Sequence, residues 1–184
     1  MAKNTHLEHL EDDIFNSGYN GATNSINFLI GLRDMLTTGK GGGNTKVTVK
    51  WDGAPAIVCG KDPETGEFFV GNKSVFNKST PKICYTDGFI DEFYPDSGLN
   101  KILKMCLAEL SKLPIRGVIQ GDLLYEKRPS IVSMKGKKCY VFKPNTITYC
   151  VEVDSDLGRQ ISQSKIGIVF HTRYNGADIS SMAA

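Results

Sequence analysis

The stretch Val47-Thr48-Val49-Lys50-Trp51-Asp52-Gly53 holds the residue types best suited to chemistry. The alternating run ending at Lys50 reads as a strand, and Asp-Gly reads as the turn that sends the chain back. Side chains alternate along a strand, so Lys50 and Asp52 fall on one face. Gly53 permits a tight turn and a close approach of the backbone to a ligand. A cation and a carboxylate thus stand together at the mouth of a sheet. A lysine so placed is a nucleophile once its ammonium proton is gone. Desolvation or nearby cations favour the neutral amine, whereas Asp52 alone favours the charged form. The electrophile that suits an amine beside metal-capable carboxylates is a phosphoryl centre. The same letters also describe a hairpin turn carrying a surface Lys-Asp pair.

Other groups carry less. His6 and His9 sit three positions apart with Glu8 and Glu11 nearby, but no distant third ligand is evident, so the pattern reads as a solvated helix face. The run Gly39-Lys40-Gly41-Gly42-Gly43 lacks the order of a phosphate loop and the strand before it. His171 reads as a rim histidine at a strand end. The five cysteines at 59, 84, 106, 139 and 150 form no C-x-x-C pair and mostly lie in apolar contexts. Reduced, buried thiols follow, and a cysteine-based zinc site does not.

The elements that must hold Lys50 and Asp52 fit one domain. The chain has 184 residues, 40% hydrophobic and 23% charged, an ordinary soluble composition. Its 22 basic and 20 acidic residues leave a net charge of +2, which draws nucleic acid only through a local basic groove. No apolar run is long enough for a bilayer, and the polar N-terminus lacks a secretory core. A cytoplasmic protein without a membrane partner is expected.

Residues 1–45 read as a helical segment. Ile26, Leu29, Ile30, Arg33 and Leu36 recur at helical spacing, with Thr23 or Asn24 as cap, and the glycine run ends the helix. Residues 1–40 are expected outside the main sheet. Residues 46–72 read as an antiparallel meander with a turn at Pro63 and Gly66. Residues 73–98 read as a loop with a short helix. Leu99, Ile102, Leu103, Cys106, Leu107 and Leu110 mark one face of the clearest helix, stopped by Pro114. Strands follow at GVIQGDLLY, KKCYVFKP, NTITYCVEV and KIGIVFHTRY, with a helix capped by Asp154 or Ser155 before the last. Hairpin spacing makes the fold class α+β with antiparallel sheets and flanking helices. Lys50 and Asp122 are expected to end neighbouring strands of one sheet.

Lys50-Trp51-Asp52-Gly53 resembles the K-x-D-G signature of the covalent nucleotidyltransferases: ATP-dependent DNA and RNA ligases and mRNA capping enzymes. The likeness extends from residue 46 to about 172. It implies a ligase-type, ATP-grasp-like adenylation domain over 46–184 and a lysyl-AMP intermediate on Lys50. Asp52 would orient the lysine or a nucleic-acid end. Lys73 or Ser74, in Phe68-Phe69-Val70-Gly71-Asn72-Lys73-Ser74, would stand where that family has an arginine reaching the ribose. Gly121-Asp122 resembles its Gly-Glu, with Asp122 contacting ribose or metal. Tyr149 or Phe170 would stack on the base, and Gly53 would approach the nucleotide. ATP, with GTP as the other option, Mg2+ or Mn2+, and DNA or RNA ends are the implied cofactors and partners. The family's later Glu-Gly pair is absent, and Lys135-Gly136-Lys137 lies too early to be its K-x-K. The domain is therefore expected to be incomplete. The alternative is a non-catalytic nucleotide-binding, nucleic-acid-binding or phage structural module. The string from HLEHLEDDIF to KIGIVFHTRY also resembles uncharacterised proteins of T4-like marine phages.

Overall fold

The computed structural model describes residues 9–38 and 49–182. The chain divides into two units, Met1–Lys50 and Trp51–Ala184. In the first, helix α1 (Asp12–Thr38) is broken at Gly18, where φ is 56° and ψ is −130°. That backbone region is open to glycine and costly for other residues. The chain then doubles back as a helical hairpin. A Cβ at Gly21 would fall 1.8 Å from the Asp13 carbonyl oxygen, and the Ser25 hydroxyl donates to the Leu10 carbonyl at 3.0 Å. Small residues at these two positions let the backbones meet. The expected cap at Thr23 or Asn24 is not there. Both lie inside the helix, and the Thr23 hydroxyl bonds back to the Tyr19 carbonyl at 3.0 Å.

The second unit opens with the hairpin β1 (Ala56–Lys61) and β2 (Phe68–Gly71). A 3-10 turn at Lys73–Phe76 leads to α2 (Asp87–Phe93) and α3 (Gly98–Leu110). Then come β3 (Val118–Tyr125), β4 (Ser130–Met134), β5 (Lys137–Phe142), β6 (Tyr149–Glu152), α4 (Asp156–Gln163) and β7 (Gly167–Tyr174). A 3-10 turn at Ile179–Ser181 follows. Two antiparallel sheets result, ordered β2-β1-β3-β7 and β4-β5-β6. The α+β class with antiparallel sheets and flanking helices is what the structure has.

Alternation assigns each strand two faces. Ile57, Cys59, Val70 and Leu123 meet Ile102, Leu103, Cys106 and Leu110 of α3 in one buried cluster. Val58, Phe69, Val75 and Val118 form a second cluster with Ile179. The three-stranded sheet presents Tyr140, Phe142, Tyr149 and Val151 to Ile161 of α4, and Trp51 packs onto that third cluster. Burying each such side chain contributes about 1.5–3 kcal/mol.

The strand expected over 46–52 differs. Residues 46–48 lie outside the described residues, and 49–55 have no strand structure. Residues 54–55 do reach β3: the Ala54 N–H donates to the Leu123 carbonyl at 3.1 Å, and the Leu123 N–H to the Pro55 carbonyl at 3.0 Å. Pro55 has no N–H with which to continue the ladder, so the regular strand begins at Ala56. Asp122 lies inside β3, paired with Ala56 and Val169, rather than at a strand end.

Candidate functional site

The Asp-Gly turn is built from both sheets. Trp51 anchors it: its ring lies 4.7 Å from Tyr149 and 6.2 Å from Phe142, nearly parallel to the latter at 4°. The Asp52 N–H donates to the Tyr149 hydroxyl at 2.7 Å. The Asp52 carboxylate accepts from the Asn145 amide at 3.0 Å, so Oδ2 is held by the turn that follows β5. Tyr149 starts β6 and Asn145 precedes it, which lets one connection grip both ends of Asp52.

Gly53 settles directly on β3. A Cβ there would lie 2.3 Å from the Leu123 carbonyl oxygen and 3.1 Å from the Asp122 Cβ. Only glycine allows that approach, and it brings Asp52-Gly53 against Asp122-Leu123. Asp122 is partly exposed, at 21% of its side chain. Its Oδ1 lies 3.5 Å from Nε2 of His171 on β7. His171 Nδ1 is 2.8 Å from the Thr172 hydroxyl. An acid and an imidazole therefore adjoin the Asp-Gly turn. The carboxylates are hard oxygen donors of the kind that hold Mg2+ together with substrate phosphates. Among the described residues, no cluster of three or more His, Cys, Asp or Glu could hold a metal ion.

The other expected site residues are spread out. Lys50 is exposed and is the last residue of the first unit. Lys73 is exposed in the 3-10 turn after β2, at the sheet end where Gly71 faces Val58 and Ala56 faces Asp122. Ser74 is engaged: its hydroxyl lies 2.8 Å from the Tyr94 hydroxyl and donates to Asn72 at 2.5 Å. Burial pushes the Tyr94 phenol above its ordinary pKa, so it stays a neutral hydroxyl there. Tyr149 is buried, with its ring packed on Trp51 and Phe142. Phe170 keeps 37% exposure and faces Gly121, where a Cβ would meet its ring at 2.9 Å.

From the sequence His171 reads only as a rim histidine, and no spacing marks Trp51, Asn145 or the hydroxyl role of Tyr149. The Trp between Lys50 and Asp52 was the one available signal, since a large aromatic in a turn must find a wall to pack on.

Beside this turn lies an open groove of about 550 Å3. Ala54, the β3–β4 connection and the end of β5 form its walls.

The model of one protein family, DUF6267, matches residues 4–184. The chain belongs to that family. DUF6267 is a family of unknown function. No curated protein and no solved structure matches the chain. Membership of DUF6267 thus covers both units and assigns no residue a role. Among the described residues, no helix is long and apolar enough to cross a membrane.

Proposed function

We propose that this chain is a ligase-like nucleotidyltransferase that forms a covalent lysyl-AMP on Lys50. The observation carrying the reading is the seat of Gly53 on Asp122-Leu123. It joins the Asp-Gly of the K-x-D-G turn to the Gly-Asp of a central strand, two motifs nearly seventy residues apart.

In this reaction the Lys50 ammonium first loses a proton to solvent. Its Nζ lone pair then attacks the α-phosphorus of ATP. An N–P bond forms, the P–O bond to the leaving group breaks, and pyrophosphate departs with that bonding pair. Asp52, fixed by Asn145 and Tyr149, orients the lysine or the acceptor end. Asp122 accepts a ribose hydroxyl or holds the metal. Bound Mg2+ supplies neutralisation of phosphate charge. Transfer of AMP to a nucleic-acid end would complete the cycle. The ligase-type adenylation fold over residues 46–184, the cytoplasmic setting and the phage origin belong to the same proposal.

Incubation with α-labelled ATP and Mg2+, followed by denaturing electrophoresis, tests the reading. A label that survives denaturation supports it.

A second reading is a nucleotide- or nucleic-acid-binding module without covalent chemistry. The placement of Lys135-Gly136-Lys137 favours it. Lys135 and Gly136 form the β4–β5 turn with φ of 48° and 80°, and Lys137 is ion-paired with Glu152 at 2.6 Å. Lys137 is thus engaged within the hairpin rather than free to hold a phosphate.

A further inference from the structure

The groove beside the Asp-Gly turn carries unbalanced charge. Lys127, Arg128 and Lys143 line it, against the single carboxylate of Glu126. All three cations are exposed. Among the described residues none of the three takes part in an ion pair, whereas Lys104, Lys112, Lys137 and Lys165 each do. Their side chains come from two different connections, β3–β4 and β5–β6, which converge because β4 and β5 pair as a hairpin. Tyr125, Pro129 and Pro144 add apolar surface between the charges.

We propose that this groove binds single-stranded nucleic acid, with Lys127, Arg128 and Lys143 on successive phosphates. The pattern is that of a cationic track beside partly buried apolar side chains. Openness favours a polymer passing through over a small molecule enclosed on all sides. The overall charge of +2 cannot attract a polyanion by itself, so attraction must be local. Ala54 lines the groove and directly follows Gly53, so a strand lying there passes the K-x-D-G turn. The inference rests on the nucleotide-transfer reading for the role of that strand as acceptor. The binding itself is tested apart from labelling.

The test is fluorescence anisotropy of a labelled oligo-dT with the full chain across a salt series. Wild type should bind, with log K falling linearly in log salt. K127S/R128S/K143S should make that slope shallower by about 2, at about 0.7 for each lost phosphate contact. K61S/K78S/K101S removes equal charge from exposed positions outside the groove and should leave the slope unchanged. The charge-keeping K127R/R128K/K143R should restore most of the slope. Far-UV circular dichroism checks that each variant is folded. No binding by wild type, an unchanged slope in the groove variant, or equal losses in both serine triples would overturn the proposal. Tighter binding of duplex than of single strand would overturn the choice of ligand. Oligonucleotide binding without lysyl labelling would sink the transferase reading and leave the groove standing.

Discussion

The Tyr149 hydroxyl accepts the backbone N–H of Asp52 at 2.7 Å, across 97 positions of sequence. This bond ties the turn carrying Asp52 to the three-stranded sheet. Tyr149→Phe keeps the ring contacts with Trp51 and Phe142 but leaves a half-buried N–H unpaired. The loss should be about 1–3 kcal/mol of stability. Chemical denaturation followed by fluorescence reads it, since Trp51 is the single tryptophan of the chain and packs on this ring.

Gly53 and Gly98 should answer alanine in opposite ways. At Gly53 the new Cβ would meet the Leu123 carbonyl oxygen at 2.3 Å, while at Gly98 nothing lies within 4 Å. Gly53→Ala should destabilise by about 1–3 kcal/mol and displace the turn. Gly98→Ala, on the first turn of α3, should be neutral or stabilise by up to about 1 kcal/mol. Thermal unfolding of the two variants side by side is the check. Equal melting temperatures would mean that the turn yields to a methyl group at Gly53 without cost.

Much of this framework was legible because local signals carried it. The β1–β2 hairpin follows from alternation around a marked turn. Helix α3 follows from its apolar face, and α4 from Ser155, whose hydroxyl accepts from the Gly158 N–H at 3.0 Å. Strand β4 was not legible. All five of its residues are exposed, so no burial rhythm marks it, and pairing with β5 alone defines it. The strand expected over 46–52 had the right rhythm, but its described residues, 49–52, pair with no strand. The grip of Asn145 and Tyr149 on Asp52 is tertiary, and no spacing rule announces it.

The thiols should divide sharply by accessibility. Cys59, Cys84, Cys106 and Cys139 are buried and Cys150 is exposed. Burial pushes Cys59 and Cys106 up to about 12 and Cys84 up to about 11. A thiol near 12 is thiolate in roughly one molecule in ten thousand at pH 8. Titration of the native protein with a thiol-disulfide reagent should therefore show one fast thiol, and Cys150→Ser should remove it. The rest should appear only in denaturant.

Acid should unfold the chain partly through the α2–α3 surface. Hydrogen bonds from Lys104 and then Asn100 hold Asp91 below its ordinary pKa, and those from Lys165 and then Lys112 do the same for Glu109. A lowered folded value means stability that is present above the unfolded carboxyl range and lost as pH falls through the folded one. The loss should begin below about pH 4. Lys104→Met should move the acid-unfolding midpoint upward, and by less at high salt because these pairs are exposed. A midpoint that stays put would show that the pair contributes nothing.

The central claim is that Lys50 is a nucleophile, and covalent labelling by α-labelled ATP with Mg2+ tests it most directly. Wild type should carry a label after denaturation, and peptide mapping should place it on Lys50. Lys50→Arg should carry none while melting at the wild-type temperature, because the guanidinium keeps its charge but stays protonated and offers no free lone pair. No label on wild type, or full labelling of the arginine variant, would contradict the account.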